Sequence, residues 1–213
     1  MTQPWTVVVP VKRLAAAKTR LRGGLPGVPH QDLALALAAD TLAAVRACPG
    51  VAEIVVVTDD AQVAGTARSS GARVLPDVAD AGLNAAFRHG VAEVAGWVAG
   101  LTADLPALRP AELAAALHAA LTSPPGTRRF VADTPGTGTV LLAAPPGVPL
   151  DPRFGAGSAA AHAASGARPL TGDWPSLRRD VDTADDLAAA AQLGLGPRTA
   201  ALTAGCFTES FST

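Results

Sequence analysis

The chain has 213 residues, of which 49% are hydrophobic and 16% charged, so it is globular rather than disordered. A formal net charge of −1 argues against a general polyanion-binding surface and therefore against nucleic acid as a partner. Two distant cysteines, Cys48 and Cys206, and the absence of a signal segment or a long apolar helix predict a soluble protein of the reducing cytoplasm with no membrane partner. We expect one domain over residues 1–195 and a poorly ordered tail over residues 196–213.

The chain opens with a segment whose two faces both look buried. Residues 5–11 are rich in valine and show no polar alternation, which is typical of a central parallel strand. Five cations then follow within eleven residues: Lys12, Arg13, Lys18, Arg20 and Arg22. A basic loop at the carboxyl end of such a strand suggests phosphate binding. A solvated basic surface is the alternative.

Helical and strand patterns alternate through the rest of the chain, which predicts the α/β class. Helices are expected over residues 29–47, 61–70, 85–99, 111–121 and 159–165. Strands are expected over residues 51–58, 71–75, 97–103, 127–132 and 140–144, and one more is expected to end near Arg178. Asp59 or Asp60 could cap the helix that follows or contact a ligand, and Thr183 could cap the last helix.

Polar residues follow several of these segments. Asn84 offers a donor and an acceptor edge just before a helix, so it suits a base or a ribose. Asp104 ends an apolar strand and is a hard oxygen ligand of the kind that Mg²⁺ takes together with substrate phosphates. Asp180 and Asp182 share one face of an extended segment, although two solvent-facing acids would look the same.

Two glycine-rich segments complete the candidate site. Residues 133–139 (DTPGTGT) could form an anion cradle or an ordinary tight hairpin turn. Residues 153–158 (RFGAGS) open a helix and offer a second place for an anion. The four histidines fall in no catalytic arrangement.

Together these segments resemble nucleotidyltransferases of the GT-A-like, Rossmann-related fold, and more closely the guanylyltransferases of coenzyme F420 biosynthesis. The matching stretches, in chain order, are VPVKRLAAAKTRL, GLNAAF, ADLPAL, GTGT, RFGAGSAAAH and DVDTADDL. The resemblance implies a central, mostly parallel sheet flanked by helices. It also implies transfer of GMP from GTP to phosphoenolpyruvate or 2-phospho-L-lactate, with release of pyrophosphate. The composition resembles that of high-GC actinobacterial chains, which favours phosphoenolpyruvate.

The resemblance also assigns roles to residues. The GTP phosphates would be clamped by three cations that carry the catalysis: Lys12, Lys18 and Arg20. The nucleotide would also lie near Gly82 and Asn84. The acceptor would be bound by Thr139, Gly155 and Ser158, with Thr137 as the alternative threonine. The cofactor Mg²⁺ would be held by Asp104 and by one or both of Asp180 and Asp182.

Other functions are compatible with the same fold. A molybdopterin guanylyltransferase or a sugar-phosphate nucleotidyltransferase would usually have a glycine-rich loop after its first strand, and RLAAAKTRL contains no glycine. A non-catalytic nucleotide-binding module would not need metal-binding carboxylates together with the lysines. Without a G-x-G-x-x-G or a Walker motif, a dehydrogenase or a P-loop kinase is not predicted. We further expect a downstream transferase to take the unstable product, and the chain could act as a homodimer.

Overall fold

Seven strands form one sheet in the computed structural model, which describes residues 4–15, 17, 21, 25, 27–77, 81–124 and 126–206. In chain order they are β1 (Trp5–Pro10), β2 (Val51–Val57), β3 (Arg73–Leu75), β4 (Trp97–Leu101), β5 (Arg129–Ala132), β6 (Thr139–Ala144) and β7 (Arg168–Pro169). Across the sheet the order is β3-β2-β1-β4-β6-β5-β7. Within this described sheet β6 alone runs antiparallel to its neighbours. The prediction of a mostly parallel sheet is confirmed.

Helices cover both faces of the sheet. They are α1 (His30–Arg46), α2 (Ala61–Ser69), α3 (Leu83–Val91), α4 (Pro110–Leu121), α5 (Ser158–Ala164), α6 (Pro175–Arg178), α7 (Ala184–Leu193) and α8 (Pro197–Thr203). Val7 and Val9 pack with α1, α2 and α4, whereas Val8 packs on the opposite face with α3 and α5. Because successive strand residues face opposite sides, the valine run is buried throughout, as its composition predicts. No helix in the described part of the chain is long and apolar enough to span a membrane.

Two sequence-based boundaries are wrong. The helix expected over residues 85–99 ends at Val91, because residues 97–101 form β4 and pair with β1 and β6. The strand expected to end near Arg178 is instead the short helix α6. Its first-turn amides of Ser176 and Leu177 donate to the Glu112 carboxylate at 2.8 and 3.3 Å, so a distant side chain satisfies the helix start. The segment after α6, which carries Asp180 and Asp182, is an irregular loop.

The expected poorly ordered tail is wrong over residues 197–203, which form α8 against α1. The buried carboxylate of Asp40 in α1 accepts hydrogen bonds from the amides of Arg198 (3.2 Å) and Thr199 (2.7 Å). These first-turn amides have no partner inside their own helix, so Asp40 caps α8 from another element. Residues 207–213 lie outside the described residues.

Candidate active site

Two adjoining cavities open at the carboxyl ends of β1 and β4, where the strand order of the sheet reverses. Such a reversal point is where open α/β sheets bind ligands. The β1 cavity, of about 260 Å³, is lined by residues 10–12 and Leu14, by α1 and by residues 102–104. The β6 cavity, of about 470 Å³, is lined by residues 137–139 and 154–158. Both cavities share Leu83, Thr102 and Asp182, so ligands in the two would meet at this common wall.

Lys12 lies directly after β1 and lines the β1 cavity, as expected of a phosphate-binding cation. The loop that carries it is anchored by the two acids that follow β2. Asp59 pairs with Arg13, and Asp60 accepts a hydrogen bond from the Leu14 amide at 3.0 Å. Asp60 also caps α2, so its capping role is confirmed. Lys18, Arg20 and Arg22 lie outside the described residues, and their phosphate contacts stay predictions.

Asp104 lies on the loop after β4 and lines the β1 cavity together with Asp182. The neighbouring main chain is held from two sides. The Asp104 carbonyl accepts a hydrogen bond from the Val181 amide at 3.1 Å. The buried Thr41 hydroxyl of α1 accepts one from the Leu105 amide at 3.0 Å and lies 3.2 Å from the Ala103 carbonyl oxygen. Main-chain contacts therefore bring the loop of Asp182 beside that of Asp104.

Asp180 and Asp182 both line the β6 cavity, although their segment is an irregular loop and not the extended segment from which a shared face was predicted. Thr183 caps α7 in a capping box with Asp186, which confirms the predicted cap. The Asp186 carboxylate also accepts a hydrogen bond from the Asp182 amide at 3.2 Å. Within the described ranges no three Asp, Glu, His or Cys side chains gather into a metal-binding group. A carboxylate pair nevertheless suits Mg²⁺, which takes one or two carboxylates together with substrate phosphates.

The loop between β5 and β6 is a hairpin turn that also forms one wall of the β6 cavity. The Asp133 carboxylate accepts hydrogen bonds from the amides of Thr137 and Gly138, each at 2.9 Å. A Cβ at position 138 would collide with this carboxylate, so a larger residue there would displace Asp133 from the two amides. Since Asp133 occupies both amides, the hairpin interpretation is confirmed, and these amides do not form an anion cradle. Thr137 and Thr139 both line the cavity.

The opposite wall, residues 154–158, is held by Asn84 and Phe87 of α3. The Asn84 side chain donates to the Phe154 carbonyl at 3.0 Å and accepts from the Phe154 amide at 2.7 Å. The Phe87 and Phe154 rings stack with centroids 4.2 Å apart. Gly155 and Ser158 of this wall line the β6 cavity as expected. Asn84 therefore holds the main chain of Phe154 in place. The nucleotide contacts of Asn84 and Gly82 stay predictions.

Sequence reasoning missed three polar residues at the site. Thr41 braces the main chain beside Asp104, and nothing in its helical context distinguishes it. Thr102 lines both cavities, and its buried hydroxyl has no hydrogen-bond partner in the described part of the chain. His162 lies 2.9 Å from the Thr139 hydroxyl, although we expected no histidine to be placed for function. The sequence held one signal for His162: it lies four residues after Ser158, which places both residues on one face of α5.

Known proteins resemble this chain both in sequence and in fold. The family described as "MobA-like NTP transferase domain" matches residues 26–171. The phosphoenolpyruvate guanylyltransferase of Salinispora arenicola is 72% identical over 95% of this chain and 94% of its own. The phosphoenolpyruvate guanylyltransferase of Streptomyces coelicolor is 52% identical over 94% of this chain and 96% of its own. A nucleotidyl transferase structure from Methanothermobacter superposes with a TM-score of 0.62 at 19% identity, over 91% of this chain and 98% of that one, and it supports the fold alone.

Proposed function

We propose that this chain, which belongs to the MobA-like NTP transferases and to the family of phosphoenolpyruvate guanylyltransferases, transfers GMP from GTP to the phosphate of phosphoenolpyruvate. In this reaction an oxygen of the acceptor phosphate forms a bond to the α-phosphorus of GTP. The bond from the α-phosphorus to the oxygen that bridges it to the β-phosphorus breaks, and pyrophosphate leaves. The acceptor oxygen is already ionised near neutral pH, so the reaction needs no strong general base.

The shared wall of the two cavities is the observation that carries this proposal. The β1 cavity contains Lys12 and Asp104, whereas the β6 cavity contains Thr139, Gly155 and Ser158. We therefore assign GTP to the β1 cavity and phosphoenolpyruvate to the β6 cavity. The α-phosphate and the acceptor phosphate would then meet beside Thr102 and Asp182. Holding two reactants in contact at a fixed place is a large part of what a transferase must do.

The charges of the β6 cavity favour a metal cofactor. Its described lining includes three carboxylates, those of Asp133, Asp180 and Asp182, and no lysine or arginine. A phosphoacid would be repelled there unless cations accompanied it. Asp104 and Asp182, with Asp180 nearby, would hold Mg²⁺, and this donor set fits its preference for carboxylate oxygens. When bound, the ion would neutralise charge on the phosphates of both substrates.

The protein's own groups supply the remaining stabilisation. The Lys12 ammonium would bind the triphosphate and offset the negative charge that develops on the departing pyrophosphate. The Thr102 hydroxyl, buried without a partner among the described residues, would donate to a phosphate oxygen at the common wall. Thr139 and Ser158 would bind the acceptor on the far side of that wall. These groups bind and orient anions, which is the main demand of phosphoryl chemistry.

The cellular setting of the reaction is part of the same proposal. The product would contain a phosphoanhydride between GMP and phosphoenolpyruvate, which is prone to hydrolysis. We therefore expect a downstream transferase of coenzyme F420 biosynthesis to consume it in the cytoplasm. A homodimer stays a prediction that a sedimentation measurement would check.

The test is pyrophosphate release by the purified chain with Mg²⁺. GTP is compared with ATP, CTP and UTP, and phosphoenolpyruvate with 2-phospho-L-lactate and 3-phosphoglycerate. Release should require GTP and phosphoenolpyruvate and should fall at least about 100-fold in Asp104→Asn. Asp185→Asn removes an exposed acid of α7 that lines neither cavity, so it should retain activity. No release with any substrate pair would refute the proposal.

A further inference from the structure

His162 contacts both walls of the β6 cavity although it lines neither cavity itself. It lies on α5 with no exposed surface. One ring nitrogen, Nδ1, is 2.9 Å from the Thr139 hydroxyl oxygen at the start of β6. The other, Nε2, is 2.9 Å from the main-chain nitrogen of Arg153, which precedes the opposite wall. The imidazole therefore links the two segments that enclose the proposed acceptor.

These contacts determine which nitrogen of the ring carries the proton. The Arg153 amide can only donate, so Nε2 must accept and cannot be protonated. Burial, with a contribution from the nearby Arg128, lowers the pKa of His162 to about 4, so the ring is neutral at pH 7. The one proton of the neutral ring must then lie on Nδ1.

The proton on Nδ1 in turn determines the role of the Thr139 hydroxyl. A protonated nitrogen cannot accept, so the Thr139 oxygen accepts from Nδ1–H and its own proton must go elsewhere. Within the described ranges no protein group takes that proton, and Thr139 lines the β6 cavity. The hydroxyl is therefore left as a donor for a ligand in the cavity. A donor is what an anionic phosphoacid needs from a neutral side chain.

We propose that His162 is a positioning residue of the acceptor site, whose Nδ1–H group makes the Thr139 hydroxyl a hydrogen-bond donor toward the bound phosphoacid. The inference rests on the proposed function in that it takes the β6 cavity as the acceptor site. His162 itself touches no substrate. It acts through Thr139, and its contact with Arg153 fixes the tautomer that this role requires.

Two substitutions of His162 separate this role from simple packing. Both His162→Asn and His162→Gln remove the ring and its edge contact with Phe154. The asparagine amide reaches the position of Nδ1 and can still donate to Thr139. The glutamine amide reaches the position of Nε2, so it can accept from Arg153 but leaves Thr139 without its donor.

We expect His162→Gln to raise the KM for phosphoenolpyruvate about tenfold, with the KM for GTP unchanged, because the Thr139 hydroxyl keeps its proton but is no longer held in the orientation that donates it to the anion. His162→Asn should stay within about threefold of the native enzyme. Thr139→Val removes the hydroxyl itself and should raise this KM at least as far as His162→Gln, and the double variant should be no worse than Thr139→Val alone. Equal defects in the asparagine and glutamine variants, or additive effects with Thr139→Val, would overturn the inference.

A second measurement does not depend on activity. Nitrogen-15 NMR of the labelled native protein at pH 7 reports the protonated nitrogen of a neutral imidazole directly. A proton on Nδ1 of His162 supports the inference, and a proton on Nε2 overturns it. An active native enzyme with the wrong tautomer would leave the guanylyltransferase proposal intact. An enzyme inactive with every substrate pair would refute that proposal and the acceptor role of Thr139 with it.

Discussion

Thr41 offers a test of how the fold holds Asp104 in place. Thr41→Val keeps the shape of the side chain but removes the oxygen that accepts the Leu105 amide at 3.0 Å. Thr41 and Leu105 have no exposed surface, so water cannot replace the lost acceptor. A buried donor left without a partner costs about 1–3 kcal/mol. For a chain of this length, a loss of 2 kcal/mol lowers Tm by about 4–8 °C.

The same substitution should weaken the proposed metal site. With one of its two main-chain anchors lost, the Asp104 loop should hold its carboxylate less firmly, and more Mg²⁺ should be needed for half-maximal pyrophosphate release. Thermal unfolding and a Mg²⁺ titration measure the two effects. Thr41→Ser keeps the hydroxyl and removes only a methyl group, so it should retain the native Mg²⁺ requirement. A Thr41→Val protein with native Tm and native Mg²⁺ dependence would show that this contact does not support Asp104.

Three further predictions concern other parts of the fold. Asn84→Ala should raise the KM for phosphoenolpyruvate and leave that for GTP unchanged, because Asn84 clamps Phe154; the opposite pattern would favour a nucleotide contact. Asp40→Ala should lower the free energy of unfolding by about 1–3 kcal/mol and expose α8 to proteolysis, whereas Asp40→Asn, which keeps an acceptor oxygen, should lose less. The native pKa of His162 is lowered to about 4 from its ordinary value of 6.5, so the unfolded chain binds the extra proton first. The free energy of unfolding of the native protein should therefore fall by about 3 kcal/mol between pH 6.5 and pH 4 because of His162. Chemical denaturation at several pH values should show this fall in the native protein and lack it in His162→Asn.

Much of the fold and part of the site follow from local sequence patterns. The valine run of β1 predicts burial on both faces because alternate side chains of a central strand meet helices on either side. Lys12 and Asp104 were expected in the site because each follows such a strand, and the carboxyl ends of neighbouring parallel strands share one edge. Both residues line the β1 cavity. Asp60 and Thr183 were recognisable as caps because their partners lie in the next turn of the chain.

The residues that sequence reasoning missed depend on contacts between distant segments. Asp40 caps α8 from the middle of α1, so no local side chain caps this helix, and Pro197 in its first turn was the local signal that sequence reasoning overlooked. His162 meets Thr139 only because α5 packs beside the start of β6. Asn84 presents the donor and acceptor edges that its type predicts, yet both meet the Phe154 main chain. Residue type predicted the chemistry of Asn84 alone, and the tertiary structure determined the partner in all three cases.

The most direct test of the account is the identity of the bond that forms where the two cavities meet. Phosphorus-31 NMR of a reaction containing GTP, phosphoenolpyruvate and Mg²⁺ would follow every phosphate at once. We predict pyrophosphate together with two coupled signals of an unsymmetrical diphosphate that joins GMP to phosphoenolpyruvate. Loss of GTP to free GMP or GDP, with the phosphoenolpyruvate signal unchanged, would contradict the assignment of the β6 cavity to the acceptor.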